Sequence, residues 1–446
     1  MIDEAVSLCM SRRKPVYLEI ACNMSTYKIF EPTPMVFQDP SFPNAACVSD
    51  PEALGTAVKD ILQLLNIAVK PILLGGVRMR KSGVAEDFME LASKMQCALG
   101  ITPDAKSLIS EDHPCFIGCW WGCVSSAHVQ ETVESSDLVL FAGAIFNDYT
   151  TVGWTAEIAT SKTICLNHDS VNICGRHFAN VYMQELIKEL IPRVPVKEAS
   201  LVTYHRYKDG DSARVVSPPT FAFTGPEKPL TLQFISSQIQ YHISAETSLV
   251  VETGDCWFIG QSLMLPRGSI YHVQMQYGSI GWALGATLGV GMAVGAKRKV
   301  LALIGDGSFQ VINLVQYSTR LTMNSFIFRV KVSAQELSTM IRYGVKATIL
   351  LFNNNGYTIE VQIHDGPYND IQDWKYADLI NTFNAPGLAK AIGIKATTNV
   401  QLYEAMRMAD AFDGVALIEC CIARDDCTAN LIIWGGKVAH SNGRKP

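Results

Sequence analysis

Charge is scarce in this chain. Only 18% of its 446 residues are Asp, Glu, Lys or Arg, and the formal net charge is -5. With no basic excess to neutralise phosphates, nucleic acid is not an expected partner. Cysteine is thin as well: 13 in 446 residues is too dilute for a disulfide framework. With no leader ahead of Met1-Ile2-Asp3-Glu4, a reducing, cytoplasmic setting is the expectation. Cys115, Cys119 and Cys123 recur every four residues, but no second cysteine set or histidine pair follows to complete a zinc site. Gly75-Gly76 lacks the G-x-G-x-x-G spacing of a dinucleotide loop. Long apolar runs are nearly missing too. Ser279 to Ala296 carries no charge and places Gly281, Gly285 and Gly289 in GxxxG spacing, but it is barely long enough to span a bilayer. It is read as a buried helix packed on a sheet, and no membrane is expected.

What is present is a soluble globular composition, 48% hydrophobic, in a chain long enough for two or three domains. The richest stretch runs from Gly305 to Glu360. The apolar run Val300 to Ile304 ends in Gly305-Asp306-Gly307-Ser308, and a second, Ile349 to Phe352, ends in Asn353-Asn354-Asn355-Gly356-Tyr357-Thr358-Ile359-Glu360. Each reads as a buried parallel strand presenting oxygen ligands beyond its carboxyl end, where open α/β sheets bind ligands. The carboxylate of Asp306, the amide of Asn354 and the carbonyl of Gly356 suit Mg²⁺, a hard cation that completes its octahedron with phosphate and water.

GDGS followed by NNxGYTIE resembles the cofactor signature of the thiamine-diphosphate enzymes. GYTIE followed by Ile363-His364-Asp365-Gly366-Pro367-Tyr368-Asn369 resembles the pyruvate decarboxylases, particularly plant ones, and the likeness runs from about residue 1 to 440. That resemblance implies non-oxidative decarboxylation of a 2-oxo acid, pyruvate to acetaldehyde and CO₂, with thiamine diphosphate and Mg²⁺. It implies that Asp306, Asn354 and Gly356 hold the metal, that Gly307, Ser308 and Asn355 bind the diphosphate, and that Tyr357, Thr358 and Ile359 flank it. Asp255 matches a position near the cofactor. Ile280, in Gly278-Ser279-Ile280, matches the wedge under the thiazolium. Glu360 matches the active-site glutamate beside the substrate carboxylate, where a partly apolar cleft would raise its pKa and let it pass a proton. His113, His128 and His364 are read as structural, since the family's histidine pair lies in its amino-terminal domain. The expected partners are a small 2-oxo acid and either a second copy, as dimer or tetramer, or a full-length relative.

The expected fold is α/β, with two Rossmann-like parallel-sheet domains and a helix-strand remnant of a third. In order, 1–22 reads as the remnant of a pyrimidine-binding domain, with a strand from Pro15 to Cys22. Residues 23–50 read as a proline-rich linker, 51–195 as the middle domain, 196–229 as a second linker and 230–446 as the diphosphate-binding domain. The remnant leads to the expectation of a chain shortened at its amino end and inactive alone; a non-catalytic subunit or the product of a faulty gene model is the non-enzyme alternative. Between Gly307 and Asn353, Ile312 to Val332 reads as inserted relative to the family. Other thiamine-diphosphate decarboxylases are the alternative enzymes.

Overall fold

The computed structural model describes residues 48–210, 226–310, 333–384 and 391–443, together with Ala5, Cys9 and 15–19. The expected insertion, 312–332, lies outside the described residues, as do most of the amino-terminal remnant and the first linker. Within 15–19 the expected strand does not form. Those residues are exposed and irregular, as expected of a lone strand segment without a sheet to bury it.

Two sheets organise the described chain. The first runs β3-β2-β1-β4-β5-β6-β7. It comprises β1 (Pro71–Gly75), β2 (Ala98–Ile101), β3 (Phe116–Cys119), β4 (Leu138–Ala142), β5 (Thr163–Leu166), β6 (Ser170–Ile173) and β7 (Arg176–Ala179). Its first five strands are parallel, and β6 and β7 add an antiparallel edge. The helix Pro51–Ile67 precedes it, started by Asp50, whose carboxylate accepts from Ala53 N in the manner of an N-cap. Ala199–Gly210, expected inside a linker, is a helix. Its Ser200 is buried between β1 and β2, accepting from Ala98 N at 3.0 Å and donating to Pro71 O at 2.7 Å.

The second sheet, order β12-β13-β11-β10-β8-β9, is parallel throughout. Its strands are β8 (Thr247–Val251), β9 (Ile270–Val273), β10 (Lys299–Gly305), β11 (Ala347–Asn353), β12 (Ala391–Ala396) and β13 (Val415–Cys421). Along β10 the pleat sends Val300, Ala302 and Ile304 into one core, with the helices Ala283–Val294, Ser333–Arg342 and Tyr376–Phe383. Leu301 and Leu303 go to the other face, with Leu232–His242, Asp255–Ser262, Asn399–Ala411 and Ala429–Ser441. The chain leaves β8 for edge strand β9 and returns to β10 on the opposite side. The topological switch therefore falls between β8 and β10, where a crevice opens beyond the strand ends.

The helix Ala283–Val294 differs from the expected buried span. Ala283, Leu284, Thr287 and Gly291 face the core, while Gly285, Gly289 and Met292 are exposed. Among the described residues no helix is long and apolar enough to cross a membrane.

Candidate functional site

At the switch point, three strand ends converge on one open cleft. β10 delivers Asp306 as the first residue of the short helix Asp306–Gln310. Its carboxylate is buried and wrapped by backbone N–H groups. Oδ1 accepts from Gly307 N at 2.7 Å, and Oδ2 from Asn354 N at 3.2 Å and Gly356 N at 3.3 Å. Burial pushes its pKa up to about 6, and the N–H groups of Gly307, Gly356, Asn355 and Asn354 hold back part of that rise.

β11 delivers the opposing ligands. The amide oxygen of Asn354 faces only other oxygens, with Gly356 O and Asp306 Oδ1 each 3.1 Å away. Neighbouring ligands of an octahedron with bonds of about 2.0–2.1 Å stand about 2.9 Å apart, a spacing close to that of these atoms. With the amide turned over, its N–H₂ would donate to the same two oxygens. Among the described residues no group of three or more His, Cys, Asp or Glu is placed to hold a metal.

The surrounding turns explain the glycines. A Cβ on Gly307 would stand 2.5 Å from the Tyr357 ring, which crosses directly over it. Asn355 takes a left-handed φ of 59°, a conformation asparagine tolerates, and its side chain points outward. Ser308 Oγ donates to Thr253 O at 3.4 Å, joining the ends of β10 and β8. Tyr357 N donates to Asn369 O at 3.1 Å, so the Pro367–Asn369 turn folds back on the loop that follows β11.

The other expected residues take distinct places. Ile280 lines the cleft, and Gly278 and Ser279 form the turn leading to it rather than its wall. Gly278 has φ 57°, and its missing Cβ leaves room for the Tyr149 ring of the other unit. Asp255 lines the cleft but is engaged by Thr428, whose N donates at 2.9 Å to Oδ2 and whose hydroxyl donates to Oδ1. Burial raises its pKa. Tyr357, Thr358 and Ile359 line the cleft opposite Asp306. Glu360, in the first turn of the helix Thr358–Ile363, lines it too but is exposed, so the expected apolar enclosure is not provided by the described residues. None of the three histidines lines the cleft: His113 contacts Ser93 Oγ at 2.9 Å, and His364 pairs with Tyr368.

Sequence reasoning passed over two buried glutamates. Glu419 on β13 accepts from Asn353 Nδ2 at 3.0 Å and Ala377 N at 3.0 Å, and pairs with Lys395 at 3.1 Å. Burial would raise its pKa, but these donors outweigh burial and lower it. It thereby steadies the residue just before Asn354. Glu252, at the end of β8, is fully buried. An acid inside an apolar strand run is the signal that marks both.

Residues 58–194 match the family model of the thiamine pyrophosphate enzyme central domain. Residues 254–327 and 330–420 match that of the C-terminal TPP binding domain. Pyruvate decarboxylase 4 of Arabidopsis thaliana is 39% identical over 449 residues, covering 100% of this chain and 69% of the relative. Pyruvate decarboxylase 2 of Pisum sativum is 40% identical over 97% of this chain and 99% of its own length. Among solved structures, benzoylformate decarboxylase from Polynucleobacter necessarius superposes with a TM-score of 0.60 at 18% identity, covering 85% of this chain and 65% of that one. At that identity the likeness speaks for the fold alone.

Proposed function

This chain belongs to the pyruvate decarboxylase family, and from that premise we propose that its cleft binds thiamine diphosphate through Mg²⁺ and serves the decarboxylation of pyruvate to acetaldehyde and CO₂. The observation that carries the reading is the convergence of Asp306, the Asn354 side chain and the Gly356 carbonyl at the switch point of the second sheet. Thiamine diphosphate, when bound, supplies the nucleophilic carbon and the electron sink that decarboxylation requires. The chain's own residues do the rest. Asp306, Asn354 and the Gly356 carbonyl hold the ion. Gly307, Ser308 and Asn355 form the two turns against which the diphosphate would lie, and the ion offsets its charge. Ile280 and Ile359 give the cleft apolar walls, and Asp255 faces it from the β8 side. Glu360, at the open side of the cleft, is placed to relay through its carboxyl group the proton that replaces the departing carboxyl group at the carbonyl carbon.

The same reading divides the chain as the sequence suggested, with a middle unit over 51–195 and a diphosphate-binding unit over 230–446. It also includes a cytoplasmic site of action and pairing with a second copy or a longer relative, the pairing being supported by the exposed apolar side chains of Tyr277 and Met292. Titration of the protein with thiamine diphosphate, with and without Mg²⁺, tests the reading. Tryptophan quenching that needs both is expected, with aldehyde release from pyruvate exceeding that from aromatic 2-oxo acids. Binding indifferent to Mg²⁺, or a preference for the aromatic acids, would overturn it.

A further inference from the structure

Glu252 lies where an apolar parallel strand meets the cleft, yet its carboxylate touches neither the cleft nor a cation. Oε1 accepts from Thr253 N at 2.9 Å, and Oε2 accepts from Ala283 N at 2.9 Å. The N–H groups of Gly281 and Trp282 are directed at the same carboxylate. Ala283 is the first residue of the helix Ala283–Val294, whose N-cap, Trp282, supplies no side-chain cap. Glu252 therefore does from another element what an Asp or Ser does at an ordinary N-cap, collecting donors that the first helical turn leaves over. The fastening continues on both sides. Glu252 N donates to Leu303 O at 3.0 Å on β10, Thr253 Oγ1 donates to Ser279 O at 3.4 Å, and Ser308 Oγ donates to Thr253 O at 3.4 Å. Glu252 and Thr253 thus tie the Gly278–Trp282 turn, which carries Ile280, to the same β10 that carries Asp306. That turn contains two left-handed glycines, Gly278 at φ 57° and Gly281 at φ 80°, and has little stiffness of its own.

We infer that Glu252 is a positioning residue: its carboxylate clamps the Gly281–Ala283 backbone and so sets the height of Ile280 above the metal corner. A ligand anchored at Asp306 then meets Ile280 at a fixed distance. The role of Ile280 rests on the function proposed above, whereas the clamp does not. Amide hydrogen exchange of the full chain, read without any ligand, separates the two. In Glu252→Gln, whose NH₂ opposes the N–H donors, exchange at Gly281, Trp282 and Ala283 should quicken at least about tenfold, while β10 amides keep their protection.

Thiamine diphosphate affinity with Mg²⁺ should stay within about threefold, since the metal corner is intact, whereas kcat should fall about 10- to 100-fold at nearly unchanged KM. If Glu252→Gln does not yield folded protein, Glu252→Asp is read instead. Its carboxylate, one methylene short of Ala283, should loosen the same three amides. Unchanged exchange at 281–283 overturns the clamp, as does protection lost evenly across β8 and β10, which marks a merely structural residue. A native chain that binds no cofactor overturns the function proposed above, while the exchange data still decide the clamp.

Discussion

Asp306 does two jobs with one carboxylate, accepting backbone N–H groups from the strand-end turns and presenting Oδ1 to the Asn354 side chain of the opposing turn. Asp306→Ala should therefore abolish Mg²⁺-dependent binding of thiamine diphosphate, a loss of at least about 100-fold in a calorimetric titration, because two diphosphate charges lose their counter-ion. Wild-type affinity in that variant would remove Asp306 from the metal site. Glu252 gives a pH signature of the opposite kind. Burial pushes its pKa from 4.5 up to about 7, despite four backbone N–H groups. A folded state with the higher pKa binds the proton more tightly than the unfolded chain. The stability that Glu252 contributes is thus full below about pH 4.5 and is lost as the pH rises through 7. Asp306 and Asp255 nearby are also raised by burial, so the useful quantity is the native stability minus that of Glu252→Gln, in which they cancel. That difference should fall by about 3 kcal/mol between pH 4.5 and pH 8 in urea titrations; a flat difference would contradict the shift. Asp306 and Asn354 were legible because their signature is written in contiguous residues. Glu252 and Glu419 were not, because Ala283 lies 31 positions from one and Asn353 lies 66 from the other.

Elements were legible in proportion to their burial. β10 and β11 were read within two residues of their observed bounds, because central parallel strands are unbroken apolar runs. β2, β3, β9 and β12 went unread. They are four to six residues long, β3, β9 and β12 are only partly buried, and all but β9 carry a glycine. In β12 that glycine is a packing requirement: a Cβ on Gly393 would stand 1.9 Å from Ala377 O in the helix above. Gly393→Ala should force β12 and the helix Tyr376–Phe383 apart and cost about 3 kcal/mol, the upper part of the usual over-packing range. Gly289, on the exposed face of Ala283–Val294, has no atom within 4 Å of its would-be Cβ. Gly289→Ala should stabilise by about 0.5–1 kcal/mol, because a helical glycine only adds freedom to the unfolded chain. Chemical denaturation of the two variants should move the midpoint in opposite directions.

At the scale of the molecule, the two units share one continuous core, and its joint is aromatic. The Trp121 ring stacks on Phe258 at 4.8 Å with 7° between planes, Tyr149 tilts against Trp257 and Trp434 at 5.9 and 5.6 Å, and Trp434 meets Phe258 edge-on at 5.9 Å. One carbonyl, Tyr149 O, accepts from Trp121 Nε1 at 2.7 Å and Trp434 Nε1 at 3.1 Å, so a loop of the first unit is bound by indoles from both. The sequence could not announce this joint, since its members are scattered from Trp121 to Trp434 and each alone reads as ordinary core. Trp434 is 1% exposed and carries no part of the proposed chemistry. Trp434→Ala removes its stacking and the second donor to Tyr149 O together. It should cost about 3–5 kcal/mol, the usual penalty for emptying a buried tryptophan site. Because the lost contacts with Tyr149 lie between units, single-step unfolding should split into two transitions, with near-ultraviolet circular dichroism fading in the first while much of the helical signal persists. One cooperative transition, merely shifted to lower denaturant, would mean that the two sheets are held together by the rest of their shared core without this cluster.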